Sequence, residues 1–511
     1  MNLHLVLVAP LVAAFLTFFL SGRDPVSTLR TAVVLALAVA AFAFPVLAAG
    51  TVSTPLHTWF QLPLTGTTIR WGLASDGVSA WLLVLSSVLV PVVLLSARPV
   101  VGDRMREFAA CVFLLQAAVH GALLSVDLVQ FYGFFEAMLL PATVLIGLFG
   151  GRERRRAAAL FLLFSLVGTA PLFVGIWYLV TVPVLTQHHV ATDFASLQTL
   201  VASLPAPARL WIFAAASLAF LVKLPVVPLH LWQADAYTEG PAPASALLTG
   251  VMAKVGLYGV IRILIPLFPQ ECAANSSLFV GLGLATVLAG ALIALRQREA
   301  RRVLAFSSLS HLGLGLAALF AGGVAGTALV PRPEAVSGVV LLMVAHGLSA
   351  ACLFLLVGVA ETWVRSRHVD DFGALATRAP LFAVLFALAA LASVGLPGTA
   401  GFVAEFLLLV GLWKGAGIVV AAIAGTTVIL SAGYTLRLVQ KLLFGKAAQE
   451  PHESFDLPAG MAWGVAPLLI ALVYFGFQPG AVLKAARPDL LTRLPSAQAP
   501  LVEDAPHAPG R

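Results

Sequence analysis

Four ionisable side chains stand in stretches that are otherwise apolar: Glu136 in "FYGFFEAMLLP", Lys223 in "FLVKLPVVPLHLW", Lys254 in "GVMAKVGLYGVIR" and Glu405 in "GFVAEFLLLVG". At the centre of a helix in hydrocarbon each costs about 2.5 to 3.5 kcal/mol on insertion scales, unless it meets water or a partner. Residues held against that cost read first as functional. A structural salt bridge is one alternative, and snorkelling of the lysines to an interface is another; snorkelling suits span ends, and Lys254 lies in the middle of its span. A buried lysine keeps its proton more or less firmly according to how close a carboxylate lies, so moving the carboxylate switches it between holding and releasing. This is chemistry suited to moving protons against a potential, where each charge carried across costs about 2.3 kcal/mol per 100 mV.

Three histidines extend the set. His230 follows the "KLPVVP" interruption, His311 lies in "AFSSLSHLGLG" and His346 in "LLMVAHGLSAACLFLL". Imidazole passes protons near neutral pH. A lone buried histidine reads as a structural, hydrogen-bonded one, but three in interrupted and adjacent helices read as an auxiliary relay. His188 and His189 sit in a loop with no partners at metal-ligand spacing and read as solvated. Cys111, Cys272 and Cys352 are far apart in apolar surroundings, so neither a disulfide framework nor haem or iron–sulfur ligation is indicated. The glycines of "GLGLAT" (281–286) lie inside an apolar span with no preceding strand, which favours helix packing over nucleotide binding.

The elements that must position these residues are membrane helices. The 511 residues are 60% hydrophobic and 10% charged, with a mean hydropathy of +0.99, whereas a soluble globular chain carries roughly 25% charged residues. Hydropathy predicts fourteen spans, near 3–20, 29–49, 75–97, 107–125, 127–149, 157–183, 208–237, 242–266, 276–296, 302–322, 336–360, 380–414, 417–438 and 460–484. The first reads as a span and not as a cleavable signal, lacking a basic flank and an A-x-A-like site. The net charge of +7 resides largely in short loops, where it reports orientation and argues for no nucleic-acid partner. Lys and Arg number eighteen in the loops after odd-numbered spans and four after even-numbered ones. The positive-inside rule therefore places the odd loops in the cytoplasm and both termini outside. Beyond about residue 490 the Pro- and Ala-rich tail predicts loose order.

Two spans are interrupted, the seventh at "KLPVVP" and the twelfth at "GLPGTAG" (395–401). Proline removes a backbone donor and clashes with the preceding turn, and glycine adds freedom. Each interrupted helix is the fourth of five, in spans four to eight and nine to thirteen. Five being odd, the two sets face the membrane in opposite directions. The expected fold is thus an all-α polytopic membrane protein of about fourteen helices with two inverted five-helix repeats. Its parts are residues 1–106 (three helices), 107–266 (first repeat), 276–445 (second repeat) and 446–511 (a loop, the last helix and the tail).

The stretches "KLPVVPLHLWQADAYTEGPAPASALLTGVMAKVGLYGVIR", "RQREARRVLAFSSLSHLGLG", "AHGLSAACLFLLVGV" and "GLPGTAGFVAEF" resemble the proton-channelling membrane subunits of respiratory complex I, which are similar to cation/proton antiporter subunits. The resemblance runs from about residue 72 to about 445. Glu405, where the sister L and N subunits and the antiporter subunits usually carry lysine, points to the M-type branch. So does length, since the L-type adds a long lateral helix. The resemblance implies a hydrated polar axis along the middle of the membrane. It pairs Glu136 with Lys223, makes Lys254 the bridge between the halves, and makes Glu405 the outward exit; His311, His346 and His230 join from the reading of the residues themselves as auxiliary relay. Gln233 and Tyr237 depart from the common family pattern, so any relay contribution at 237 would come from a phenol; Tyr237 stays outside the core set.

The function so implied is proton translocation in an NADH:quinone oxidoreductase of a bacterial inner membrane. The chain itself would bind no cofactor, with NAD, FMN, iron–sulfur clusters and quinone in partner subunits. Other membrane subunits, especially antiporter-like neighbours, are the expected partners. The alternatives are a subunit of a multi-component Na+/H+ antiporter, the equivalent pump subunit of a membrane-bound hydrogenase or ferredoxin-dependent complex, and a purely structural scaffold.

Overall fold

Lipid offers the backbone no hydrogen bonds, so long apolar stretches close their own as helices. A computed structural model describes residues 2–20, 24–63, 65–182, 190–325, 327–445 and 456–486; His188, His189 and the tail beyond 490 lie outside them. Twelve helical segments among the described residues are long and apolar enough to cross a membrane. One of them, Gly77–Leu124, turns at Gly102–Arg104 into two packed helices, Gly77–Val101 and Met105–Leu124. The twelfth predicted span is absent from the twelve because it is broken into Pro380–Ser393 and Ala400–Ala416. Counting both restores the expected fourteen passages.

Helix starts are set by short polar side chains. Asp76 accepts from the Val78 and Ser79 amides in a capping box that opens Gly77–Val101, and Asp127 accepts from the Val129 and Gln130 amides to open Leu128–Ala137. The connection between the second and third passages, which the predicted spans leave unassigned, is paired. His57–Gln61 runs antiparallel to Thr68–Trp71. A second short hairpin joins Gly323–Ala325 to Ala328–Val330.

Three helices form the centre: Ala242–Leu267, Ala300–Phe320 and Pro333–Val364, whose most apolar stretches are wholly buried by protein. They carry Lys254, His311 and His346. The surrounding helices turn Phe173, Trp177, Phe406, Ile429 and Trp463 outward, as a lipid-facing surface requires.

Both predicted breaks are present. The seventh span divides into Ala206–Lys223 and Leu231–Glu239, and two of the backbone groups at the break are taken by side chains. Trp232 Nε1 donates to the Val222 carbonyl (3.0 Å) and the Val227 amide donates to Thr286 Oγ1 (3.0 Å). Each break also keeps one widened helical bond, Val226 N to Leu221 O (3.1 Å) and Leu396 N to Leu391 O (3.0 Å). A third interruption was not foreseen: the fifth span parts at Met138 into Leu128–Ala137 and Leu139–Phe149, where Pro141 has no amide to give the Ala137 carbonyl.

Gly395 holds the second break with φ of +77°, and a Cβ there would lie 3.0 Å from Glu405 Oε2. Gly395→Ala is expected to destabilise the protein by about 1 to 3 kcal/mol, the range for a residue forced into left-handed backbone. Thermal unfolding of the purified protein checks this; an unchanged midpoint would show that the break relaxes.

Candidate functional site

The first carboxylate and lysine lie close without touching. Glu136, half-buried, is the penultimate residue of Leu128–Ala137, and Lys223 is the buried last residue of Ala206–Lys223. Lys223 Nζ sits 4.8 Å from the centroid of the Phe135 ring, a cation–π contact. Among the described residues Lys223 Nζ and Glu136 Oε1 are both buried without a hydrogen-bond partner, and no ion pair within 4.0 Å joins them. The pair implied by the resemblance is therefore open in this structure, with an aromatic face beside the ammonium.

Lys254 comes next because its helix touches the end of the Lys223 helix. At Gly256 a Cβ would meet the Leu224 amide at 2.8 Å and the Phe220 carbonyl at 3.0 Å, so only glycine permits this backbone approach. Lys254 is fully buried. Its helix carries π-turns on either side, at Leu248–Met252 and Val260–Leu264, a device found often at functional sites. The first of them presents the Thr249 carbonyl to Lys254 Nζ.

From Lys254 a line of polar contacts crosses the three central helices. Thr249 Oγ1 lies 3.1 Å from Ser308 Oγ. Ser308 Oγ is 3.0 Å from His346 Nε2. The His346 and His311 ring centroids are 5.2 Å apart, and His311 Nδ1 is 3.0 Å from Glu405 Oε1, with both side chains buried. Every member is within direct or near contact of the next. Beside the line Tyr434 donates to Ser307 Oγ (3.0 Å).

His230 stands apart from this line. It is half-buried at the start of Leu231–Glu239, with its ring edge-on to Phe306 at 6.4 Å between centroids. Gln233 donates to the Ala305 carbonyl (3.0 Å), and the Tyr237 hydroxyl lies 3.4 Å from the Leu248 carbonyl.

Sequence reasoning missed two groups. The hydroxyls of Thr249 and Ser308 run from the residue whose carbonyl holds Lys254 to His346, yet serine and threonine in helices ordinarily bond their own backbone, which hides such a role. Arg262, buried to 2% exposure, pairs with Asp76. Lys254, Tyr258 and Arg262 recur every four residues, which puts them on one helix face; this spacing was the available signal. Tyr258 donates to the Leu123 carbonyl at 3.0 Å.

Comparison with known proteins bears on this arrangement. Residues 125–431 match the family model described as NADH:quinone oxidoreductase/Mrp antiporter, transmembrane. The chain is 32% identical to NADH-quinone oxidoreductase subunit M of Rickettsia conorii, over 81% of each protein. A chain in the structure of respiratory complex I from Thermus thermophilus with bound NADH is 31% identical, with a TM-score of 0.81 over 96% of this chain and 100% of that one. A chain of the Mrp complex from Dietzia sp. superposes with a TM-score of 0.80 at 22% identity, covering 96% and 97% respectively, a likeness of fold.

Proposed function

Because the chain belongs to the membrane-subunit family shared by NADH:quinone oxidoreductases and Mrp antiporters, we propose that it is a proton-translocating membrane subunit of an NADH:quinone oxidoreductase. The observation that supports this most is the line Lys254, Thr249, Ser308, His346, His311, Glu405, buried across the three central helices and ending on a carboxylate of Ala400–Ala416. Hydroxyls and imidazoles each donate and accept, so a proton taken up at one atom can be released at another without any side chain having to cross the hydrocarbon.

In this reading electron transfer in partner subunits draws Glu136 toward Lys223 or releases it. The ammonium leaves the Phe135 face for the carboxylate, or yields its proton toward Lys254. Lys254, anchored on the Thr249 carbonyl, yields it by way of water to the hydroxyl and imidazole line, and Glu405 delivers it outward past the Gly395 break. NAD, FMN, iron–sulfur clusters and quinone belong to the partners, and antiporter-like membrane subunits are the neighbours. The inner membrane of a bacterium, with both termini on the outer side, is the location that the loop charges favour. The two broken helices are read as equivalent positions of inverted repeats.

The test is Glu136→Gln or Glu405→Gln in the assembled complex, reconstituted in vesicles. Coupled NADH oxidation and proton pumping are expected to fall by about 10²-fold, the scale of losing a positioned proton-transfer group. Normal pumping in both variants would sink the proposal. Sodium-dependent proton exchange without any electron donor would instead favour the antiporter reading.

A further inference from the structure

A cavity of about 430 Å³ opens on the loop side of the molecule, between the two halves. The helices Gly77–Val101, Leu139–Phe149, Leu231–Glu239 and Pro333–Val364 all end around it, so it lies at the level of a membrane surface. Its volume falls in the roughly 300 to 1,000 Å³ range of ligand pockets. Arg301, Arg365, Arg367, Glu239 and Glu361 line it. Four of these five charges neutralise one another: Arg301 pairs with Glu361 (2.9 Å) and Arg367 with Glu239 (2.7 Å). Arg365 has no ion pair among the described residues, which leaves one cation in surplus at the mouth. Arg104 adds another nearby, stacked 5.4 Å from the centroid of Phe149, which lines the cavity.

A second cavity, of about 160 Å³, adjoins the first and shares Val100, Ala242, Gly358 and Thr362 with it. Leu95, Pro99, Leu355, Val359, Trp363 and Met461 give it an apolar lining. Leu95 and Leu355 lie one to three helical turns deeper than the polar mouth. Trp363, edge-on to Phe382 at 5.3 Å, is the kind of ring that marks the boundary between headgroups and acyl chains. Loop arginines alone would follow from membrane orientation, but orientation does not require a cavity continuous with an apolar groove.

We propose that these joined cavities hold one anionic phospholipid, its phosphate at Arg365 and an acyl chain along the Leu95–Leu355 groove. An unpaired guanidinium suits a phosphate because its fork can donate two hydrogen bonds. A free phosphate would use the mouth and ignore the groove, whereas a phospholipid uses both. Arg365 itself has left-handed backbone, φ of +57°, at a helix end where glycine is the ordinary occupant. The bound lipid would bridge Phe149–Ala242 of the first half to Arg301–Arg367 of the second, beside the Arg367–Glu239 pair that already ties them.

The experiment uses the purified, delipidated complex, as wild type, Arg365→Glu and Val100→Trp, each confirmed to retain its full set of subunits. Mixed micelles of phosphatidylcholine with or without phosphatidylglycerol supply the lipid, and native mass spectrometry counts what stays bound. The wild type is expected to retain one phosphatidylglycerol more than either variant. Arg365→Glu should weaken its retention roughly tenfold or more, since each basic residue near a membrane surface contributes about 1 kcal/mol and the change reverses one. Equal retention in wild type and both variants would overturn the proposal. So would displacement of the lipid by millimolar inorganic phosphate, or equal retention of phosphatidylcholine.

Discussion

Lys254→Met is expected to stabilise the assembled complex and at the same time to stop it pumping. Burying a lysine at the middle of a membrane helix costs about 2.5 to 3.5 kcal/mol, which methionine, of similar length and apolar, does not incur. Against that gain stands the Thr249 carbonyl, which loses the donor it now has, at about 1 kcal/mol or somewhat more. The balance favours the variant by roughly 1 to 2 kcal/mol. Turnover should move the other way, by about 10²-fold, because methionine neither holds nor gives a proton. Measuring thermal unfolding and NADH-driven pumping on one preparation separates the two readings of this residue. A scaffold predicts the stability gain with pumping intact. A relay predicts that the gain and the loss arrive together.

The largest loss of stability is expected from Asp76. Its carboxylate caps Gly77–Val101 and also pairs with Arg262, and both side chains are buried. Asp76→Ala removes the cap, about 1 kcal/mol, and takes the counter-charge from a buried guanidinium. Breaking a buried pair from one side costs about 3 to 5 kcal/mol. The complex should assemble poorly and unfold at a markedly lower temperature. Asp76→Asn keeps a good capping oxygen and removes only the charge, so it isolates the cost of taking the counter-charge from Arg262. Asp76→Asn with Arg262→Met should recover most of the loss, since no buried charge is then left alone. If the double variant is as unstable as Asp76→Ala, the pair is not what holds this corner together.

The features most legible in the sequence were those that violate a rule of the membrane. Proline within an apolar run announced both broken helices, and their observed ends, Lys223 and Ser393, fall one and three residues before Leu-Pro. A charge within hydrocarbon announced Glu136, Lys223, Lys254 and Glu405 for the same reason. What joins these residues was not legible, because contact across helices depends on which faces meet. Thr249, Ser308 and Gly256 are ordinary residues for a membrane helix, and nothing local says that one is a stepping stone and another a point of backbone contact. Arg262 was overlooked for a different reason: it lies near a span end, where arginine is common, and its partner Asp76 is 186 positions away in sequence. The parting of the fifth span at Met138 was masked by Pro141, since a proline inside a membrane helix is compatible with an unbroken, merely bent one.

The bond from the Val227 amide to Thr286 has a consequence for how the protein is made. Synthesis proceeds from the N-terminus, so the first broken helix leaves the ribosome nearly sixty residues before the hydroxyl that satisfies it. Until then an amide at membrane depth lacks its final acceptor, a costly state in lipid. The first half is thus an insertion intermediate that cannot settle by itself, and a nascent chain arrested near residue 270 should be recognised and degraded as unfinished, while one arrested beyond the Ser276–Arg296 helix should persist.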